Sequence, residues 1–290
     1  MPYALKIALL IVAVIVLDFV MTALVVAAQL KRRAGEEAIQ VLNSAKNDQK
    51  EIIREEDLAQ VPAPVQKWLR RSGVIGKEKI HSVRLLQTGR MRTAPGKNWM
   101  NVEAELYINI DEPGFVWKPR VQYAPFIKLL GMDKYYQGRG SMELKLLALV
   151  PVVEAQPGVE MDQGALLRFL AEMIWYPTAA LHDYIVWEEI DENSARAIMT
   201  WEGVSAGLVF HFNEAGDMVS SVGPRYREEK GQFILDDWGG IARSYREFKG
   251  IRIVNQCDVV WKYKSGDFNW LQLEVTALEY NQEGLFAAKV

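Results

Sequence analysis

Residues 7 to 28 form an almost unbroken apolar run, IALLIVAVIVL-D-FVMTALVVAA, which constrains the chain more than any other feature. About 22 residues, rising 1.5 Å each in a helix, cross the ~30 Å hydrocarbon core of a bilayer. A secretory signal peptide is the alternative, because Val26-Ala27-Ala28 resembles a cleavage site, but its apolar region is usually only ~7–15 residues long. The run therefore predicts a transmembrane anchor over residues 1–30 and a single-pass protein.

One aspartate, Asp18, lies near the middle of this apolar run. An ionised carboxylate at that depth costs at least a few kcal/mol. Two interpretations stay open. Asp18 is either protonated and simply tolerated, or it contacts a polar group on a membrane helix of another subunit. A single-span chain has no second helix of its own, so Asp18 is the predicted contact with a partner subunit.

The residues that flank the run leave the side of the membrane undecided. Lys31, Arg32 and Arg33 follow the run, and only Lys6 and the amino terminus precede it. Positive charge is retained on the cytoplasmic side, so this count favours a cytoplasmic domain. Large domains, however, cross the membrane largely regardless of flanking charge.

Composition excludes several classes of function. The chain has 290 residues, 50% of them hydrophobic, and its net charge of −3 gives no reason to expect nucleic acid as a partner. The single cysteine, Cys257, excludes an intramolecular disulfide and a cysteine-rich metal site. The histidines lie far apart and lack the spacing of metal ligands: His81, His182 and His211. We therefore expect no metal and no cofactor.

The segment after the anchor predicts a polar helix over residues 34–56, packed on the domain or on a neighbour. Pro62 and Pro64 break this helix. No Pro/Gly-rich linker divides the rest of the chain. The sequence thus predicts a helical stalk over residues 31–61 and one β-rich soluble domain over residues 62–290.

Alternation of apolar and polar residues predicts strands in this domain. The clearest strand covers residues 100–110, with one face formed by Met100, Val102, Ala104, Leu106, Ile108 and Ile110. A further strand at residues 115–123 is interrupted by Pro119. The C-terminal part predicts seven more strands separated by tight turns, which favours an antiparallel arrangement: 184–190, 194–201, 206–212, 218–227, about 242–248, 257–263 and 270–280.

One helix is predicted between the two groups of strands, over Gln163–Trp175. Asp162 is placed to cap its N-terminus, and Pro177 ends it. Leu166, Leu170 and Ile174 belong to its apolar stripe. The predicted fold class is α+β, with an antiparallel sheet packed on this central helix.

Three segments resemble a bacterial family of single-span proteins with no assigned function: GRGSMELKLLALVPVV, DQGALLRFLAEMIWYPTAAL and the RYR of Arg225–Arg227. The resemblance covers most of Val61 to Asn281 and supplies no catalytic residue. More loosely, the order of elements resembles the LolA and LolB lipoprotein carriers, in which a curved antiparallel sheet holds acyl chains. The resemblance implies a curved half-barrel at the bacterial cytoplasmic membrane, and the carrier analogy favours the periplasmic side.

The central helix also carries the candidate site. Arg168 and Glu172 lie one turn apart and can pair. Two interpretations stay open: if the helix is an amphipathic lid, this pair lies on its solvent-exposed face. If the helix lies inside a curved sheet, the pair becomes a polar centre in an apolar cavity that a ligand headgroup can use. Trp175, Arg225 and Arg227 complete the predicted ligand-binding set.

Three functions follow from these features. The first is a non-catalytic, membrane-anchored domain that binds a lipid or another apolar molecule. The second is an accessory or assembly subunit of a larger membrane complex, held through its transmembrane helix. The third is an enzyme of unknown type. Its only candidate is the carboxylate pair Glu103 and Glu105 on one strand face, which a solvent-facing surface explains equally well.

Overall fold

The computed structural model describes residues 2–287, beginning with α1, one continuous helix over Tyr3–Leu42. By length and composition alone, α1 is able to cross a membrane, since its most apolar stretch has a mean hydropathy of 3.0. Side chains up to residue 29 are exposed or only partly buried. Leu30 is the first of the buried residues through which the C-terminal part of α1 packs on the domain.

The predicted helix over residues 34–56 is wrong beyond Leu42, where α1 ends. The backbone N–H of Lys46 donates to Asp111 Oδ2 over 2.7 Å, and this contact holds the turning chain against the domain. The helical elements that follow α1 are α2 (Ala63–Ser72), α3 (Val159–Glu172) and short 3-10 helices at Glu55–Gln60, Met173–Trp175 and Pro177–Leu181.

The strands are β1 (Ser82–Met91), β2 (Met100–Asn109), β3 (Gly114–Ala124), β4 (Ile127–Tyr136), β5 (Arg139–Leu146), β6 (Val150–Ala155), β7 (Ile185–Asp191), β8 (Ser194–Trp201), β9 (Val204–Phe212), β10 (Met218–Glu229), β11 (Gln232–Phe248), β12 (Ile251–Tyr263) and β13 (Gly266–Tyr280). All 13 strands form one antiparallel sheet in the order β6-β5-β4-β3-β2-β1-β13-β12-β11-β10-β9-β8-β7. Two meanders, β1–β6 and β7–β13, are therefore joined where β1 pairs with β13. The sheet curves into a half-barrel around α3, which confirms the predicted fold class.

Both faces of the sheet are covered at β2, β3 and β4. On β2 the predicted inner face is confirmed, because Val102, Leu106 and Ile108 are buried. The opposite face was expected to meet solvent, but Tyr107 and Asn109 are buried there. The reason is α1, whose C-terminal part packs on the outer face through a second apolar cluster: Ala34, Ala38, Val41, Leu42, Tyr107, Val116 and Met132.

The helix α3 fills the concave side of the sheet, between β4 and β5 on one side and β8 to β11 on the other. It begins four residues earlier than predicted, and Gly158 stands at its N-cap position instead of Asp162. The Asp162 carboxylate accepts a hydrogen bond from the backbone N–H of Gly140, 2.7 Å away, and so joins α3 to β5. The predicted stripe is buried, with Leu166 and Leu170 both 0% exposed.

Candidate functional site

Arg168 on α3 lies in a buried polar cluster. Its Nε donates to Glu172 Oε1 over 2.7 Å, one turn along the helix, and its Nη1 donates to Asp133 Oδ2 of β4 over 2.5 Å. The side chains of Arg168, Asp133 and Glu172 are 11%, 7% and 9% exposed. The guanidinium also lies over the rings of Phe115 and Trp117, 4.7 and 4.9 Å from their centroids. The predicted pairing of Arg168 with Glu172 is therefore confirmed, and Asp133 extends it.

A second arginine approaches the cluster from β10. Arg225 reaches α3 at Gly164, where a Cβ atom would lie 3.2 Å from the arginine Nε, so the missing side chain makes room for the guanidinium. The guanidinium lies 4.6 Å from the ring centroid of Trp238. Within residues 2–287, no carboxylate lies within ion-pair distance of Arg225. Burial lowers the pKa of Arg225 to about 10.

With Arg225 included, we call these four residues the polar cluster: Arg168, Glu172, Asp133 and Arg225. Several polar atoms in and around it lack a hydrogen-bond partner among residues 2–287. Asp133 Oδ1 and Glu172 Oε2 are buried and accept no hydrogen bond from the described residues, and Nε1 of Trp238, whose ring lies under Arg225, donates none to them. Burial raises the pKa of Glu172, although the charge of Arg168 opposes the shift. Buried polar groups in native proteins are nearly always paired, so the unpaired acceptors and donors here require an explanation.

The structure places the other two predicted residues differently. Trp175 is 2% exposed, and its Nε1 donates to the carbonyl oxygen of Val254 over 3.0 Å, as a core residue does. Arg227 lies two residues after Arg225 on β10, and its guanidinium binds Glu229 and Asp236 at 2.5 and 2.6 Å. Neither side chain contacts Arg168 or Glu172 through a hydrogen bond or ion pair in the part of the chain that is described.

Two surface depressions lie away from the polar cluster. One, of about 530 Å³, lies between the outer side of α1 and Tyr136. The other, of about 270 Å³, lies between turns that include Pro113, Gln137 and Glu202.

The carboxylate pair on β2 is engaged by cations. Glu105 Oε2 accepts from Lys118 Nζ over 2.7 Å, and Glu103 lies 3.5 Å from Arg120. Burial raises the pKa of Glu105, but Lys118 outweighs burial and the net shift is downward. Among residues 2–287, no three His, Cys, Asp or Glu side chains are grouped so that they could hold a metal ion.

A family model described as "Family of unknown function (DUF6544)" matches residues 51–273, which is most of the chain. The chain belongs to this family. The expected membership of a family without an assigned function is thus confirmed. No curated protein matches the sequence of this DUF6544 member.

Three solved structures are similar to this DUF6544 chain. The LolA superfamily protein NE2245 from Nitrosomonas europaea has 10% identity and a TM-score of 0.42, over 74% of this chain and 93% of that one. A DUF1329 family protein from Desulfovibrio piger has 11% identity and a TM-score of 0.39, over 76% and 93%. A Vibrio parahaemolyticus domain named for outer membrane lipoprotein sorting has 11% identity and a TM-score of 0.39, over 77% and 92%. These likenesses are distant, and no function is taken from them.

Proposed function

We propose that this protein is a non-catalytic, membrane-anchored domain that binds an amphipathic molecule such as a lipid, with the headgroup at the polar cluster. The single observation behind this proposal is that, within residues 2–287, Asp133 Oδ1 and Glu172 Oε2 are buried without a hydrogen-bond partner while Arg225 has no carboxylate within ion-pair distance. A buried polar group without a partner destabilises a fold, and a bound headgroup is the partner that we propose for these atoms.

The chemistry of the cluster indicates the kind of headgroup. Arg225 and Trp238 Nε1 offer donors, whereas Asp133 Oδ1 and Glu172 Oε2 offer acceptors. A headgroup with an anionic oxygen and a hydroxyl or ammonium donor satisfies both sets. Aromatic and aliphatic residues surround the cluster, which suits the apolar part of the same molecule. Because α3 fills the concave side, we expect binding to shift this helix.

The test is to purify the full chain in mild detergent and to measure bound lipid for each protomer by native mass spectrometry. Arg225→Met removes one charge-assisted hydrogen bond, worth about 1.5–3 kcal/mol, and should weaken binding about 10- to 150-fold. Arg246→Met is the matched control, because Arg246 also lies over a ring, that of Phe248, but is exposed. Equal lipid occupancy in wild type and Arg225→Met would contradict the proposal.

A second function, that of an accessory subunit, is favoured by Asp18. In the isolated chain Asp18 is exposed within an apolar helix, so it has no partner in the described part of this protein. A carboxyl that hydrogen-bonds between membrane helices contributes about 1 kcal/mol to their association. We propose that Asp18 contacts a polar group on the helix of another subunit.

Replacing Asp18 by Leu tests this second function. The variant should insert at least as well as wild type but lose co-purified partner subunits, whereas Val14→Leu on the same helix should lose none. Stoichiometric partners that are retained by Asp18→Leu would mean that Asp18 is merely tolerated. Bound lipid on a lone protomer would favour the first function, and partner subunits in fixed ratio the second.

A further inference from the structure

The direction in which α1 leaves the sheet is fixed by three contacts on the outer face: the hydrogen bond between Asn109 Nδ2 and the Val41 carbonyl oxygen, at 2.9 Å, and the ion pairs Glu37–Lys134 and Arg33–Glu143. The strand pairing allows the three contacts to be projected onto β2. Taken in the order given, each contact then lies about two residues closer to the beginning of β2 than the one before. Towards its N-terminus, α1 therefore runs to the end of the sheet where β2 begins and β3 ends. We call this the upper end.

The upper end of the sheet extends beside the apolar part of α1. Ala23, Val26 and Ala27 are partly buried, unlike most residues of the run, and they continue the helix face of Leu30. Measured from the level of Asn109, ten residues of strand extend about 33 Å towards the upper end. The eleven residues of α1 from Val41 back to Leu30 rise only about 16 Å. In this curved sheet the strand reach is an upper bound, and the tips of the upper hairpins therefore come to about the level at which α1 leaves the domain.

The β3–β4 hairpin carries an unusual tip at this upper end. Its turn sequence is YAPFI, with Phe126 97% exposed and Tyr123 59% exposed. Phe126 also has a φ of 64°, in the left-handed region that bulky residues rarely adopt. In water, a glycine or asparagine is the ordinary residue for such a turn. An apolar ring held outward at this position indicates a surface that meets something apolar.

The surroundings of the tip point to lipid. The exposed cations Arg120 and Lys128 flank it, and the β5–β6 hairpin at the same end exposes Val150 and Val152 at 56% and 55%. Lys31, Arg32 and Arg33 of α1 are exposed on the same side of the domain. Aromatic rings with adjacent basic residues are typical of the boundary between headgroups and acyl chains.

We propose that the β3–β4 tip, Tyr123–Ile127, inserts into the headgroup boundary of the membrane that α1 spans. This inference rests on the anchoring role of α1 in the proposed function. Two attachments, the helix and the tip, then fix the orientation of the domain on the bilayer, with its upper end against the lipid.

The test uses the full chain in vesicles of phosphatidylcholine and phosphatidylglycerol that carry nitroxide-labelled lipids. Cys257 is buried, so single cysteines can be labelled with an environment-sensitive fluorophore on a Cys257→Ala background. Phe126→Cys reports on the tip and Val12→Cys on the anchor. Ile190→Cys is the control, since Ile190 is 51% exposed and lies on the edge strand β7, nine positions from β3 in the strand order.

The label at position 126 should emit at shorter wavelength and be quenched by nitroxide near the headgroups, whereas the label at 190 should be quenched only by aqueous iodide. If position 12 is quenched by mid-bilayer nitroxide but position 126 behaves like position 190, the tip proposal is wrong and the anchor stands. If position 12 is not quenched by lipid, the anchor and the tip proposal both fall. Quenching at 126 that requires a second copy of the chain, seen by dilution, would assign the tip to self-association instead.

Discussion

Replacing Arg168 by Met should destabilise the domain more than any other single loss of charge at the site. The substitution keeps most of the apolar stem of the side chain but removes both ion pairs. The carboxylates of Asp133 and Glu172 then remain buried, 7% and 9% exposed, without a counter-ion. Breaking a buried ion pair by removing one partner costs about 3–5 kcal/mol.

The pH dependence of this loss follows from the carboxylates. Burial raises the pKa of Glu172, and Arg168 opposes this shift, so without Arg168 the Glu172 carboxyl stays protonated to higher pH than in the unfolded chain, where carboxyl groups titrate near pH 4. Folding of the variant then takes up protons, so its stability falls as pH rises above that range. The difference between variant and wild type should therefore be largest at neutral pH and should shrink towards pH 4.

Equilibrium denaturation of the full chain in detergent micelles measures the effect, with tryptophan fluorescence as the signal. The matched control is Arg196→Met, because Arg196 and Glu188 form an exposed pair at 3.9 Å, and such pairs are worth only about 0–1 kcal/mol. A loss below about 1 kcal/mol in Arg168→Met, equal to that of the control, would refute the buried ion-pair geometry.

Three further substitutions test the packing and titration of the domain by the same denaturation assay. Leu170→Ala should lower the free energy of unfolding by about 2–5 kcal/mol, since Leu170 is 0% exposed. Leu235→Ala is the control and should cost far less, because the Leu235 side chain is 51% exposed. A change under ~0.5 kcal/mol at Leu170 would mean that the apolar stripe of α3 is exposed. Burial lowers the pKa of His182 to about 4, so wild-type stability should fall by about 3 kcal/mol between pH 6.5 and 4, and His182→Gln should lose this component. Equal pH profiles in wild type and His182→Gln would contradict this. Ala38→Leu should lower the free energy of unfolding by about 1–3 kcal/mol, because Ala38 is 0% exposed and a larger side chain would overpack α1 against the outer face of the sheet. An unchanged stability would mean that α1 does not pack on this face.

The sequence predicts an element correctly where only one of its faces is buried and where the residues that interact lie close together in the chain. The alternation over residues 100–110 predicts β2 and its inner face, and the four-residue spacing predicts the pairing of Arg168 and Glu172. It fails at β4, whose sequence IKLLGMDKYY does not alternate cleanly. The reason is that β4 is covered on both faces, by α1 outside and α3 inside, so neither side of the strand is uniformly polar.

Long-range contacts explain the remaining differences. Asp162 is a residue type that often caps the N-terminus of a helix. Here its carboxylate accepts a hydrogen bond from the backbone N–H of Gly140, 22 residues earlier, and α3 begins at Val159. Asp133 joins the site although it lies 35 residues before Arg168, on a strand that the pattern does not reveal. The only local signal for Asp133 is a lone carboxylate on a strand face that is otherwise apolar.

The strand β4 connects α1 to the candidate site. Met132 and Lys134 point outward, where Met132 packs in the cluster with α1 and Lys134 binds Glu37. Asp133 lies between them and points inward to Arg168. Because successive residues of a strand face opposite sides, any displacement of α1 across the outer face moves the backbone that holds the Asp133 carboxylate. Under the proposed anchoring role of α1, a tilt of this helix would thus reach the polar cluster through a single strand.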